Sequence, residues 1–221
     1  MYESEIFIMK AIIIGATGLI GSELVELLAK ESAIDEIITL TRRNVPIRHP
    51  KVRNEIVDFE HLTDYADLFH GDLLFSCLGT TKKQAGSLEQ QHKVDVEYQY
   101  QAAKLAADNG VSHYLLVSSS GANAKSGNAY LQMKGELEQK VLSLPFVRTS
   151  IFRPSLLLGE RGDSRPAEKI GAILLPWICR LPGLQRYRPI EGAQVAAKMV
   201  RESLKEGKGQ ETFTLDELFS N

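Results

Sequence analysis

"KAIIIGATGLIGSELVELLAKES", Lys10 to Ser32, is the stretch on which the fold turns. The run after Lys10 is short, continuous and β-branched, the pattern of a strand covered on both faces. Leu19, Ile20, Leu24, Leu27 and Leu28 then recur at helical spacing. Between the two, Gly15, Gly18 and Gly21 mark the junction. Glycines there permit a tight turn, let backbone N–H groups approach a pyrophosphate and allow the helix to pack closely, while the helix N-terminus supplies positive potential. A Gly-x-x-Gly-x-x-Gly is weak by itself. With a strand before it and an amphipathic helix after it, it predicts a nucleotide site in which Gly15, Thr17, Gly18, Leu19 and Ile20 face the phosphates.

Outward from that unit the same alternation continues. "EIITLTR", "EIVDF", "DLLFSCLG", "SHYLLVSS", "RTSIFRPSLLLG" and "ETFTL" read as strands. Helical stretches separate most of them: one from about Lys93 to Ala107, stopped by Asn109-Gly110, then "AYLQMKGELEQKVLSL" and "GAQVAAKMVRESLKEG". The expectation is an α/β protein, a doubly wound parallel sheet with helices on both faces, in one domain over residues 1–221. The irregular piece 160–189, with Pro166, Pro176, Pro182 and Pro189, reads as a substrate or lid loop.

Composition narrows the function classes. The 221 residues carry a formal charge of -2, which offers no basic face for nucleic acid and no polybasic membrane anchor, so a neutral or small anionic partner is expected. Cys77 and Cys179 are too few for a disulfide framework or a zinc site. Glu3 and Glu5 stand where a secretory signal needs positive charge, which leads to the expectation of a cytoplasmic protein. A chain starting at Met9 is expected to keep the nucleotide fold. The longest apolar stretch, "IGAILLPWICRLPGL", is interrupted by Pro176, Arg180 and Pro182 and falls short of the roughly 18 residues a membrane span needs.

The cofactor's identity rests on the end of strand two. Counting about twenty residues on for a ribose-binding acid lands on Asp35 and Glu36, but these begin the strand, whereas ligands of open α/β sheets bind at the carboxyl ends. There the chain has Arg42 and Arg43, which can hold a 2′-phosphate through charge-assisted hydrogen bonds. NADP(H) is therefore expected over NAD. Asp58, ending strand three, is suited either to the adenine amine or to capping the segment near His61. Cys77, Leu78, Gly79 and Thr80 end strand four and line the adenosine half of the groove.

Two Tyr-x-x-x-Lys sets are present, Tyr100 to Lys104 and Tyr130 to Lys134, each with a serine thirteen or fewer residues upstream. Location separates them. Ser118 and Ser119 leave strand five at the ligand edge, and Tyr130 begins the next helix with Lys134 on the same face. Tyr100 sits roughly 10 Å down a helix axis from that edge, and its serine, Ser87, belongs to a loop. A tyrosine with a reference pKa of about 10 needs a nearby ammonium to serve as an acid-base at neutral pH, and a serine hydroxyl can hold a carbonyl oxygen.

The combination of "GATGLIG", "TRR", "VDFEHL", "CLGTTKKQAG", "VSSSGA", "YLQMKGELE" and "FRPSLLLGERGDSRP" resembles the short-chain dehydrogenase/reductase superfamily, in its atypical or extended branch, and most of all the Tat-interacting-protein-like (NmrA-like) oxidoreductases. The resemblance runs from about Lys10 to the last strand. It implies an NADP(H)-binding Rossmann fold with Tyr130 as acid-base and Lys134 binding the nicotinamide ribose. It also implies that Pro154 and Leu157 flank the nicotinamide and that Arg165 reaches cofactor phosphate or substrate. Strand register favours Ser119 as the family serine; the branch's twelve-residue gap to the tyrosine favours Ser118. "CLGTT" replaces the asparagine-rich motif of the superfamily's other members, and their helix asparagine has no obvious counterpart.

These residues predict an NADP(H)-dependent reductase or dehydrogenase acting on a small carbonyl or alcohol. The alternative is a non-catalytic NADP(H)-binding regulator or scaffold with a protein partner or a homodimeric face. A nucleotide-sugar epimerase or dehydratase fits less well, because the C-terminal part is short for a sugar-binding domain.

Overall fold

The computed structural model describes residues 8–46, 49–158 and 188–219. The strands are β1 (Met9–Ile14), β2 (Ile34–Thr41), β3 (Val52–Ile56), β4 (Leu73–Ser76), β5 (His113–Val117), β6 (Arg148–Arg153), β7 (Leu157–Leu158), β8 (Ile190–Glu191) and β9 (Gly209–Thr214). The helices are α1 (Leu19–Lys30), α2 (Lys82–Ala85), α3 (Leu88–His92), α4 (Tyr98–Asp108), α5 (Ala129–Leu142) and α6 (Gly192–Ser203), with a 3-10 segment at Phe59–Phe69 and a π-turn at Lys93–Glu97.

Seven strands form one sheet in the order β3-β2-β1-β4-β5-β6-β9, every pair parallel. The order reverses at β1, whose neighbours are β2 and β4, and a crevice opens at such a switch point beyond the strands' carboxyl ends. Side chains of β1 alternate between two cores. Ala11 and Ile13 meet Leu24 and Leu28 of α1 and Val195 and Met199 of α6; Ile12 and Ile14 meet Ala102, Ala103 and Ala106 of α4 and Leu137 and Val141 of α5. Both faces are thus covered, which is why the strands read as continuous apolar runs.

Two elements differ from the sequence reading. The third strand is Val52–Ile56, not 55–59; Val57 is buried in the turn that follows it and the buried Phe59 opens the 3-10 segment. The helix expected from about Lys93 to Ala107 is two pieces, the π-turn and α4, and follows directly on α3. At its end Gly110, at φ +80, makes the expected stop. Residues 160–187 of the 160–189 loop, with Arg165 and Cys179, lie outside the described residues, as do residues 1–7. Among the described residues no helix is long and apolar enough to cross a membrane.

Candidate active site

The turn after β1 is shaped by contacts a side chain would forbid. Gly15 lies at φ +83, and a Cβ there would meet the Cys77 carbonyl carbon at 2.4 Å. At Gly21 a Cβ would fall 2.1 Å from the Gly15 carbonyl oxygen, so α1 is seated against its own turn. Gly18 is different: a Cβ would lie 3.4 Å from the Gly15 oxygen, and the residue caps α1 with no side-chain hydrogen bond to the helix's first amides. Its bare face opens on a cleft.

That cleft, about 880 Å³, is walled by Gly15 to Gly18, by Thr41 and Arg42 after β2, by Ile56 to Glu60 after β3 and by Cys77 to Thr80 after β4. A second cleft of about 820 Å³ shares Gly79 and Thr80 with it and continues past Leu19 to Ser118, Ser119, Tyr130, Pro154 and Leu157. Most of the predicted residues therefore line one groove; among the described residues Ile20, Arg43 and the buried Lys134 do not, and Asp58 does while also serving a second role. Ile20 is 5% exposed and packs in the core. Arg43 does not line the cleft; its carbonyl accepts the Thr41 hydroxyl, which shapes the turn carrying Arg42. Asp58 lines the cleft and also caps the 3-10 segment through Glu60 N, while its hydrogen bond with His61 holds its carboxyl below the usual range.

Around the second cleft the polar groups are closely partnered. Asn128 caps α5, accepting from Tyr130 N and Leu131 N, which fixes the tyrosine at the helix's first turn. Tyr130 is 39% exposed, and the buried Lys134 ammonium lies 5.9 Å from its ring centroid. The serines divide. Ser118 is buried, and its hydroxyl donates to Glu138 Oε1 at 2.5 Å, a carboxylate also gripped by Arg153. Among the described residues the Ser119 hydroxyl makes only a long 3.4 Å contact with the Ser120 carbonyl.

Several groups escaped the sequence reading. Asp95, fully buried in the π-turn, stands 3.9 Å from Lys134 Nζ, accepts Thr80 N at 3.1 Å and takes a hydrogen bond from Gln91. Over the first cleft, Tyr98 donates to Glu60 at 2.5 Å and Lys93 pairs with the same carboxylate, so burial and Glu60 together push the Tyr98 phenol up. No motif marks either group, because the π-turn breaks the periodicity that would align them. Cys77 is half-buried and lines the groove, and desolvation pushes its thiol up to about 12. The second tyrosine set lies elsewhere: Tyr100 packs beside the α4 core under Lys140, whose ammonium is 5.2 Å from the ring centroid, and Ser87 caps α3.

Comparison with known proteins agrees with this geometry. The chain is 41% identical over 160 residues to Protein HTATIP2 of Rattus norvegicus, covering 71% of this chain and 66% of that one. It is 33% identical over 208 residues to Protein FMP52-1, mitochondrial, of Scheffersomyces stipitis, covering 90% and 91%. Among solved structures, MoeE5 in complex with UDP-glucuronic acid and NAD superposes at a TM-score of 0.71 and 15% identity, over 93% of this chain and 76% of that one. These relatives correct one expectation. The FMP52 proteins of Scheffersomyces stipitis, Candida albicans and Emericella nidulans are named mitochondrial, which overturns the cytoplasmic reading. The cytoplasmic expectation rested on Glu3 and Glu5 set against a secretory signal, which weighs one address among several. The family model matching residues 11–176 spans β1 to beyond β7, including the glycine turn and Tyr130 with Lys134, and the chain belongs to the NAD dependent epimerase/dehydratase family.

Proposed function

We propose that this protein is an NADP(H)-dependent oxidoreductase that moves hydride to or from a small carbonyl or alcohol, with Tyr130 as its general acid-base. The observation that carries the reading is the continuous groove joining the uncapped α1 N-terminus to Tyr130. A dinucleotide fits it. The bare Gly18 face and α1 amides suit a pyrophosphate, Arg42 a 2′-phosphate, Ile56 and Asp58 an adenine, and Pro154 and Leu157 a nicotinamide. The bound cofactor would supply or accept the hydride.

The remaining tasks fall to side chains. Ser119 donates a hydrogen bond to the substrate oxygen; its weakly engaged hydroxyl supports it over Ser118, whose proton is committed to Glu138. In reduction Tyr130 gives its proton to that oxygen as negative charge builds on it, and Lys134 stabilises the phenolate left behind. Asp95 holds Lys134 in place and ties the β4–α2 turn to the same point. The relatives' names support a mitochondrial setting. The test is cofactor oxidation with a panel of carbonyl compounds beside cofactor binding alone: binding with turnover lost in Tyr130→Phe is expected, and binding with no turnover on any carbonyl would make the protein an NADP(H) binder only.

A further inference from the structure

We propose that the second cleft takes a carbonyl compound carrying a carboxylate, held by Lys82 and Lys83. The inference rests on the oxidoreductase reading for the carbonyl's position and on separate residues for the charge.

The cleft's described lining contains no aspartate or glutamate, although the chain has 28 acids against 26 lysines and arginines. Two lysines line it, both from α2, and among the described residues neither has a carboxylate partner. Lys10, Lys93, Lys104, Lys134 and Lys140 have one, whereas Lys30, Lys51, Lys125 and Lys208 share the pair's lack of one among the described residues but line neither cleft. Two uncompensated ammonium groups at a cleft mouth raise the local concentration of anions and offer charge-assisted hydrogen bonds. The pair offers point-charge donors for an anionic group on the substrate, and a carboxylate is the anion proposed because the cofactor's phosphates are assigned to the other cleft.

Their placement is built rather than loose. Thr81 caps α2 by accepting Gln84 N, and the preceding residue, Thr80, is tied through its amide to the buried Asp95 that also pairs with Lys134. The lysine-bearing turn and the Tyr130 pair therefore share one anchor. Leu88 and Leu156, 43% and 40% exposed, line the same cleft and supply apolar contact for the middle of such a molecule. Neither lysine lines the Gly18–Arg42 cleft assigned to the cofactor's phosphates.

The experiment uses 4-formylbenzoate and its methyl ester, which share an aldehyde and a ring and differ in charge. Dissociation constants are measured by calorimetry on NADP+-saturated wild type and Lys82→Met/Lys83→Met, with NADPH oxidation assayed separately. The wild type should bind the carboxylate at least tenfold more tightly than the ester, the preference should shrink as salt rises, and the double variant should lose it while keeping its affinity for NADPH. Equal binding of the two probes, no measurable binding of either at millimolar concentration, or a variant that retains the preference or loses NADPH instead would overturn the inference. A carboxylate preference with no turnover of this aldehyde or of any carbonyl in the panel would support the anion site and refute the oxidoreductase reading, so the two fail separately.

Discussion

Gly21→Ala should break the protein at the point where its first strand becomes a helix. The added Cβ would sit 2.1 Å from the Gly15 carbonyl oxygen and 2.8 Å from its carbon, both backbone atoms that no rotamer change can move. Ordinary contact begins at 3.4 Å, so α1 would have to retreat by about 1.3 Å. That retreat pulls Leu24 and Leu28 away from Ile13 and from α6. Overpacking of this kind costs about 1–3 kcal/mol, and a clash with rigid backbone belongs at the upper end. For a chain of this size about 3 kcal/mol corresponds to roughly 6–12 °C in Tm. Gly18→Ala is the matched control. Its Cβ meets nothing closer than 3.4 Å, so stability should stay within about 0.5 kcal/mol of wild type. Because that Cβ faces the phosphate cleft, NADPH affinity should nonetheless fall at least tenfold, about 1.4 kcal/mol. Urea unfolding with fluorescence titration of NADPH reads both quantities. A Gly21→Ala protein as stable as wild type would refute the steric argument, and a Gly18→Ala protein with full affinity would refute the assignment of the cleft.

Tyr130→Phe should lower turnover by about 10²-fold or more with cofactor affinity nearly kept, while Tyr100→Phe should leave turnover unchanged; steady-state kinetics on both decides between the two tyrosine sets. Ser119→Ala should behave like the first, whereas Ser118→Ala should instead lower stability, because it leaves buried Glu138 with one donor fewer. Arg42→Ala should cut a preference for NADPH over NADH of at least tenfold, measured by titration with both cofactors, and Arg43→Ala should do less because it lies off the cleft. His113 is buried against Ser150, and burial, aided by the Arg148 charge, lowers its pKa to about 4. The unfolded chain binds that proton near pH 6.5, so this residue's contribution is fully present above pH 6.5 and is lost as pH falls toward 4. Denaturant midpoints across that window should drop less in His113→Gln than in wild type, by up to about 3 kcal/mol at the acid end.

The glycine turn, the strand order around it and the groove at the strands' carboxyl ends were legible because each rests on local pattern or on a rule of parallel sheets. Strand three was misplaced because β3 is an edge strand whose own residues are half exposed or exposed, while the apolar Val57 and Phe59 beside it pack in the turn and the 3-10 segment that follow. Hydrophobicity marked burial there, and burial was not strand. The proposal of Ser119 over Ser118, which strand register also favours, draws on a partner twenty residues away, Glu138, that the spacing to the tyrosine cannot see. Asp95 went unread for another reason. Helical periodicity assumes 3.6 residues per turn, and a buried carboxylate in a π-turn looks, on that assumption, like one more solvated acid.

That π-turn divides one continuous helical path into two sections with separate obligations. Before and within it, Gln91 lines the groove and donates to the buried Asp95 behind it; after it, Ala102, Ala103 and Ala106 face the sheet. The wide turn works as a phase shifter, letting one cylinder present a polar stripe to the site and an apolar stripe to the core without a loop between them. Removing one residue from Lys93–Glu97 would regularise the hydrogen bonds yet rotate everything after it by about 100°, turning the alanines off the sheet and Tyr98 away from Glu60. Substitutions can be tolerated in that segment, but its length is held fixed by the two surfaces it serves.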